Sequence, residues 1–224
     1  YDEIRQIIEA ADGRIGVAHC ICRKGKDLVN DPCRKTSRRE LCFGFRDYFD
    51  TYHREGWIRP VSKEKALEIL QQSEKEGLVL QATNEQYPQA VCACCGCCCG
   101  VLNTLKVIPN SADFVASNYY ARVNEEKCVG CGICVDRCHM EAINIVEKTA
   151  VIDSKRCIGC GVCVPACQKD ALHLEGKLEG GWDAVMGSGR AGPVDGAKGS
   201  AMVAGHRGTV QDYEGAKRIQ QPVP

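Results

Sequence analysis

Residues 128–138 read Cys128-Val129-Gly130-Cys131-Gly132-Ile133-Cys134-Val135-Asp136-Arg137-Cys138, and residues 157–167 read Cys157-Ile158-Gly159-Cys160-Gly161-Val162-Cys163-Val164-Pro165-Ala166-Cys167. The two stretches share one spacing, C-x2-C-x2-C-x3-C, and stand 29 residues apart. Their flanks match at the same offset: Val123 to Lys127 aligns with Ile152 to Arg156, and Ala142 with Ala171. A repeat with matched cysteines implies duplication and a pseudo-twofold unit. Tight C-x2-C-x2-C turns let three sulfurs converge on one small inorganic centre. Gly130, Gly132, Gly159 and Gly161 let the backbone approach that centre and aim N–H groups at it. Structural zinc sites use separated C-x2-C pairs, so an uninterrupted run of three cysteines with a fourth close behind favours a polynuclear cluster over zinc.

Over about 55 residues this unit resembles the two-cluster bacterial, or clostridial-type, ferredoxins. The resemblance implies a paired βαβ fold with two [4Fe-4S] clusters close enough for electrons to pass between them. Carried over by position, it implies one cluster on Cys128, Cys131, Cys134 and Cys167 and another on Cys157, Cys160, Cys163 and Cys138. The family has proline after each fourth cysteine; here those places hold His139 and Gln168. That departure leaves ligation intact and puts local backbone shape and potential in question. His139 reads as a solvated or hydrogen-bonded surface histidine, with ligation or proton transfer as the alternative.

Working outward, the 224 residues carry eighteen cysteines. Crowded thiols belong to metal or cluster ligation in a reducing compartment, not to a disulfide framework, whose partners spread along loops. Lys plus Arg and Asp plus Glu are both 29, so the formal net charge is zero and there is no global attraction for nucleic acid. Each oxidised cubane with four thiolates brings about −2, so the loaded protein is expected to be acidic and to suit an electropositive docking surface. No apolar run reaches the roughly 18 residues of a membrane span, and no signal sequence precedes the first cysteine. The chain opens at Tyr1, as a processed or trimmed polypeptide would. A cytoplasmic setting in an anaerobic prokaryote is expected. No dinucleotide-binding, P-loop, nucleophile-elbow or zinc-protease motif occurs, and no catalytic residue is assigned.

Ten cysteines lie upstream: Cys20, Cys22, Cys33, Cys42, Cys92, Cys94, Cys95, Cys97, Cys98 and Cys99. They suggest one or two further iron–sulfur clusters of the [4Fe-4S] kind. The simplest division gives Cys20, Cys22, Cys33 and Cys42 to one set and four of the 92–99 run to another; mixed sets stay open. Adjacent cysteines point in different directions, so the six cannot all face one small cluster, and a larger non-cubane centre is the alternative. Cys94-Cys95-Gly96 and Cys98-Cys99-Gly100 resemble the cysteine motif of heterodisulfide reductases, although the spacing to the other cysteines differs. Over residues 1–175 the arrangement resembles a group of multi-cysteine iron–sulfur proteins of strict anaerobes, which implies electron transfer. The basic run Arg34 to Arg39 reads equally as a docking patch for an acidic partner and as a solvated loop.

The expected class is α+β. Ile4, Ile7, Ile8 and Ala11 recur at helical spacing before a stop at Gly13, and Ile15 to Ala18 is extended. Phe45, Tyr48, Phe49 and Tyr52 form a second helical stripe, read as an aromatic core face. Ser62 caps a helix running to about Glu76, buried through Ala66, Leu67, Ile69 and Leu70, with Gly77 at its end and a strand over Leu78 to Gln81. This gives a small α+β cysteine-rich domain at 1–118, a ferredoxin-type domain at 119–175, and a Gly-rich extended tail at 176–224 expected to wrap a partner. The whole reads as an iron–sulfur electron-transfer subunit of a multi-subunit oxidoreductase, with a flavin-containing catalytic partner as one candidate. A redox enzyme with an open-site cluster at Cys92 to Cys99 and a structural or sensory metal module are the alternatives.

Overall fold

The computed structural model describes residues 1–176, apart from 84, 86, 87, 116 and 118; the expected partner-wrapping tail lies outside them but for Gly176, which ends a strand. Leu41, Phe43 and Phe45 alternate with Glu40, Cys42 and Gly44, a period of two that suits a strand with one buried face. Five such strands, β1 (Ile15–His19), β2 (Glu40–Phe45), β3 (Ile58–Pro60), β4 (Val79–Ala82) and β5 (Ala90–Cys94), form an antiparallel sheet. Its order is β3-β1-β2-β5-β4. One face carries Ile15, Val17, Leu41, Phe43, Val91 and Ala93, buried against α1 (Asp2–Ala10) and α4 (Lys63–Lys75). Burying Ile8 of α1 and Leu70 of α4 contributes about 1.5–3 kcal/mol each. The opposite face carries Cys42, Cys92 and Cys94, because Cys42 stands opposite Cys92 and Val79 opposite Cys94 in the strand register.

The helix expected from Ser62 forms as read: the Ser62 Oγ accepts from the Lys65 N–H at 3.2 Å, and Gly77 ends the turn at φ +69°. Leu67 is only half-buried, whereas Ser73 joins the buried face. Two readings are corrected. The stretch expected as cysteine loop and aromatic helix holds β2, and the 92–99 run holds β5. The aromatic stripe is not a core face: no residue of α3 (Arg46–Arg54) is buried, and Phe45 is buried from the strand instead.

The repeat unit contains β6 (Tyr119–Val123), a short α6 (Ile133–Arg137), β7 (Ile143–Val146), β8 (Thr149–Ile152) and β9 (Leu172–Gly176). The helix of the first copy corresponds to a run of turns in the second. Strands pair across the copies: β6 with β9, and β7 with β8, both antiparallel. The second copy thus lacks the helix of the expected βαβ unit, and neither copy pairs its own two strands.

The two units share a buried cluster in which Val79, Cys94, Cys99, Leu102 and Leu105 meet Met140, Ala142, Ile158 and Val162. Leu102 and Leu105 belong to α5 (Gly100–Val107). Cations seal the contact at helix C-termini, where free carbonyls and the helix dipole favour them. Arg137 Nη2 donates to the Glu74 and Lys75 carbonyls at 2.7 and 2.9 Å at the end of α4. Arg156 Nη2 donates to the Lys106 carbonyl at 3.3 Å at the end of α5. Among the described residues no helix is long and apolar enough to cross a membrane.

Candidate metal centres

None of the eighteen cysteines is in a disulfide, and the fold gathers them into four groups. In the first copy, Cys128, Cys131, Cys134 and Cys167 line one cavity of about 90 Å³, with Gly130, Gly132 and Leu172 in its wall. Cys167 enters from the second copy. In the second copy, Cys138, Cys157, Cys160 and Cys163 lie within electrostatic reach of one another; burial pushes the Cys160 thiol up to about 12, and the Cys163 thiol upward too. Cys138 enters from the first copy.

The backbone is shaped for an inorganic guest. Gly130 and Gly159 adopt φ +65° and +66°, where a Cβ on each would collide with the carbonyls of Lys148 and Tyr119 respectively. Gly132 and Gly161 share the left-handed region at φ +79° and +74°. Matched N–H groups also reach the fourth cysteines: Ala142 donates to the Cys138 Sγ and Ala171 to the Cys167 Sγ, both at 3.3 Å. Such donors stabilise the more negative, reduced state of a thiolate-bound cluster. The donor set and the cradle both fit [4Fe-4S] clusters.

Residues 127–171 match the family of 4Fe-4S dicluster domains. This segment is an iron–sulfur, ferredoxin-like module. No curated protein matches the chain. The match supplies electron-transfer capability to the repeat unit and leaves the ten upstream cysteines to be read from their geometry.

Those ten do not divide as their spacing suggested. Cys33 leaves Cys20, Cys22 and Cys42 and joins Cys95, Cys97 and Cys98, four sulfurs all within 4.8 Å of one another. A chain of thiol contacts links Cys20, Cys42, Cys92, Cys94 and Cys99, with Cys22 within electrostatic reach of Cys20, Cys92 and Cys99. Along this chain, contact with Cys42 holds the Cys20 thiol down to about 5, and Cys42 with Cys94 holds Cys92 down to about 3. Contact with Cys94 holds Cys99 down to about 6, helped by the Gln81 amide 3.6 Å from its sulfur. Cys42 and Cys94 are pushed up, because neighbouring thiolates cannot all ionise without a cation.

The roles of two residues escaped the sequence reading. Arg23, on α2 (Ile21–Leu28), is 1% exposed; its Nη1 donates to the Ala93 carbonyl at 2.9 Å and its Nη2 to the Cys95 Sγ at 3.2 Å. Its only sequence signal is its place in a helix that begins directly after Cys20. His139 is not at the surface: it is 6% exposed, accepts the Gly96 N–H at Nδ1 (3.2 Å), and pairs through Nε2 with the Gly77 carbonyl at 2.7 Å. Burial lowers its pKa, and both ring nitrogens are satisfied in the neutral form. It is an inter-unit clamp, neither a surface group nor a free ligand, whereas its repeat partner Gln168 is exposed. The basic run is largely committed as well: Arg38 pairs with Glu76 at 2.8 Å and Arg39 with Asp27 at 2.6 Å, while Lys35 Nζ donates to the Asp136 carbonyl at 3.2 Å.

Proposed function

We propose that the chain is an iron–sulfur electron-transfer subunit of an oxidoreductase assembly, in which the dicluster unit is wired to a further iron–sulfur centre in the sheet unit. One observation carries the reading. Cys157 and Cys160 of the second repeat, with Cys138 from the first, pack against the same buried cluster as Cys92, Cys94 and Cys99 of the sheet unit. A free-standing ferredoxin has no use for a second thiol-rich wall at that place.

In this reading Cys128, Cys131, Cys134 and Cys167 hold one [4Fe-4S] cluster, and Cys157, Cys160, Cys163 and Cys138 hold the other. Gly130, Gly132, Gly159 and Gly161 give the turns their approach. Cys20, Cys22, Cys42, Cys92, Cys94 and Cys99 supply the ligands of the third centre. The bound clusters supply one-electron chemistry. The protein sets direction and insulation: Cys131 is exposed and offers a surface terminus beside Val129, while the second site faces the dry inter-unit cluster. A protein redox partner, flavin-containing where electron pairs must be split, would meet the Cys131 face in the cytoplasm of an anaerobe.

Stopped-flow mixing of the anaerobic, dithionite-reduced chain with a one-electron viologen acceptor tests this. Reoxidation in successive single-electron phases is expected. Iron–sulfur absorbance that no reductant changes across roughly −700 to +450 mV would turn the reading toward a structural module. A second reading rests on the count of six thiols, two more than a cubane takes. It makes the third centre larger or open to substrate, and substrate-dependent change in that centre's spin-resonance spectrum distinguishes it.

A further inference from the structure

We propose that Cys33, Cys95, Cys97 and Cys98 hold a single four-coordinate thiophilic cation of the zinc type, and not an iron–sulfur cluster. The inference is independent of the electron-transfer reading.

The spacing argues for one ion. Cys33 Sγ lies 3.6 Å from Cys95 Sγ and 3.8 Å from Cys97 Sγ, and Cys97 Sγ lies 3.5 Å from Cys95 Sγ and 3.6 Å from Cys98 Sγ. Sulfurs about 2.3 Å from one tetrahedral zinc stand roughly 3.8 Å apart. A cubane places each thiolate outside its own corner iron, so its four sulfurs must stand farther from one another than sulfurs sharing an ion. The molecule contains its own control. Among the described residues, no other three His, Cys, Asp or Glu side chains close to this spacing, and the eight cysteines of the dicluster unit do not.

The surroundings agree. Three ligands come from one turn directly after β5, where the Cys98 and Cys99 N–H groups both donate to the Cys95 carbonyl at 3.3 and 3.0 Å. Cys33 closes the set from the loop after α2. Cys95 is fully buried and Cys98 is 7% exposed, so four protein sulfurs complete the shell without an open position, as in structural sites.

Charge is the second, independent observation. Arg23 is buried with its Nε unpartnered, and among the described residues no carboxylate is buried. A guanidinium keeps its charge in proteins, so its counter-ions must be the thiolates it faces, Cys95 by hydrogen bond and Cys33 and Cys20 beside it. A divalent cation lets all four thiolates ionise, and the resulting net anion is what a buried arginine requires. The ion would staple the loop after α2 to the turn after β5 and so fix the frame that positions Cys20, Cys42, Cys92 and Cys94.

The test measures zinc, iron and acid-labile sulfide on the complete, anaerobically purified chain and on Cys97→Ser, the variant at a half-buried ligand. The expected result is about one metal ion lost per chain with no sulfide lost; the zinc and iron columns identify the ion. Loss of iron and sulfide in equal numbers overturns the proposal, as does unchanged metal content. Should the variant fail to fold, X-ray absorption at the zinc edge of the wild type decides. Four sulfurs near about 2.3 Å with no iron neighbour support the site. An iron neighbour overturns it, and so does zinc-free protein without a mononuclear ferric or ferrous tetrathiolate spectrum.

Discussion

In the ligand sets proposed for the dicluster unit, three of each four cysteines come from one tight turn, whereas the sheet unit assembles its ten cysteines from stretches as far apart as Cys20 and Cys99. In the first, local spacing and glycine conformation do the placing, and only Cys138 and Cys167 cross between copies. In the second, the strand register brings Cys42 opposite Cys92, helix α2 presents Arg23, and Cys33 reaches across 62 residues to Cys95. Locally coded ligands should survive distant damage; ligands placed by tertiary packing should not.

The largest effect is expected from Arg23→Met. It leaves buried thiolates without their cation and should cost about 3–5 kcal/mol, read by anaerobic denaturation, with upstream metal lost and dicluster iron retained. Next is Leu70→Ala, at a residue that offers no ligand and is 2% exposed in the core beneath the sheet, within the buried cluster that also holds Cys20, Cys95 and Cys98. A loss of about 2–5 kcal/mol, with release of upstream metal first, would show that packing holds those sites. Equal loss of dicluster iron would break the contrast.

His139→Leu strands the Gly96 N–H and the Gly77 carbonyl and should cost about 2 kcal/mol. Limited proteolysis of the variant should then cut near the Gly96 turn before it cuts the dicluster unit. The smallest change is Gly132→Ala, where a Cβ meets open space and only the left-handed backbone resists, about 1 kcal/mol. Gly159→Ala must cost more, because there the Tyr119 carbonyl stands in the way; iron content after purification ranks the two.

The repeat cysteines, the helix capped by Ser62 and the strand from Ile15 were legible because each depends on residues close in sequence. β5 was not, since Cys92 and Cys94 looked like ligands first and hid their alternation with Val91 and Ala93. β2 was masked in the same way, with Phe45 counted into a helix stripe that stays at the surface. The pairing of Cys33 with Cys95, Cys97 and Cys98 depends on where β1, β2 and α2 carry the chain, which no spacing encodes. His139 departed from the ferredoxin pattern in plain view, but its partners, Gly77 and Gly96, lie in another unit.

Electron paramagnetic resonance of the complete chain during stepwise anaerobic reduction tests the central claim, a dicluster unit coupled to further redox centres, most directly. Reduced [4Fe-4S] signals are expected to broaden as neighbouring centres fill, because closely packed paramagnets interact. Signals that grow without broadening, or a chain that takes up no electrons, would contradict it.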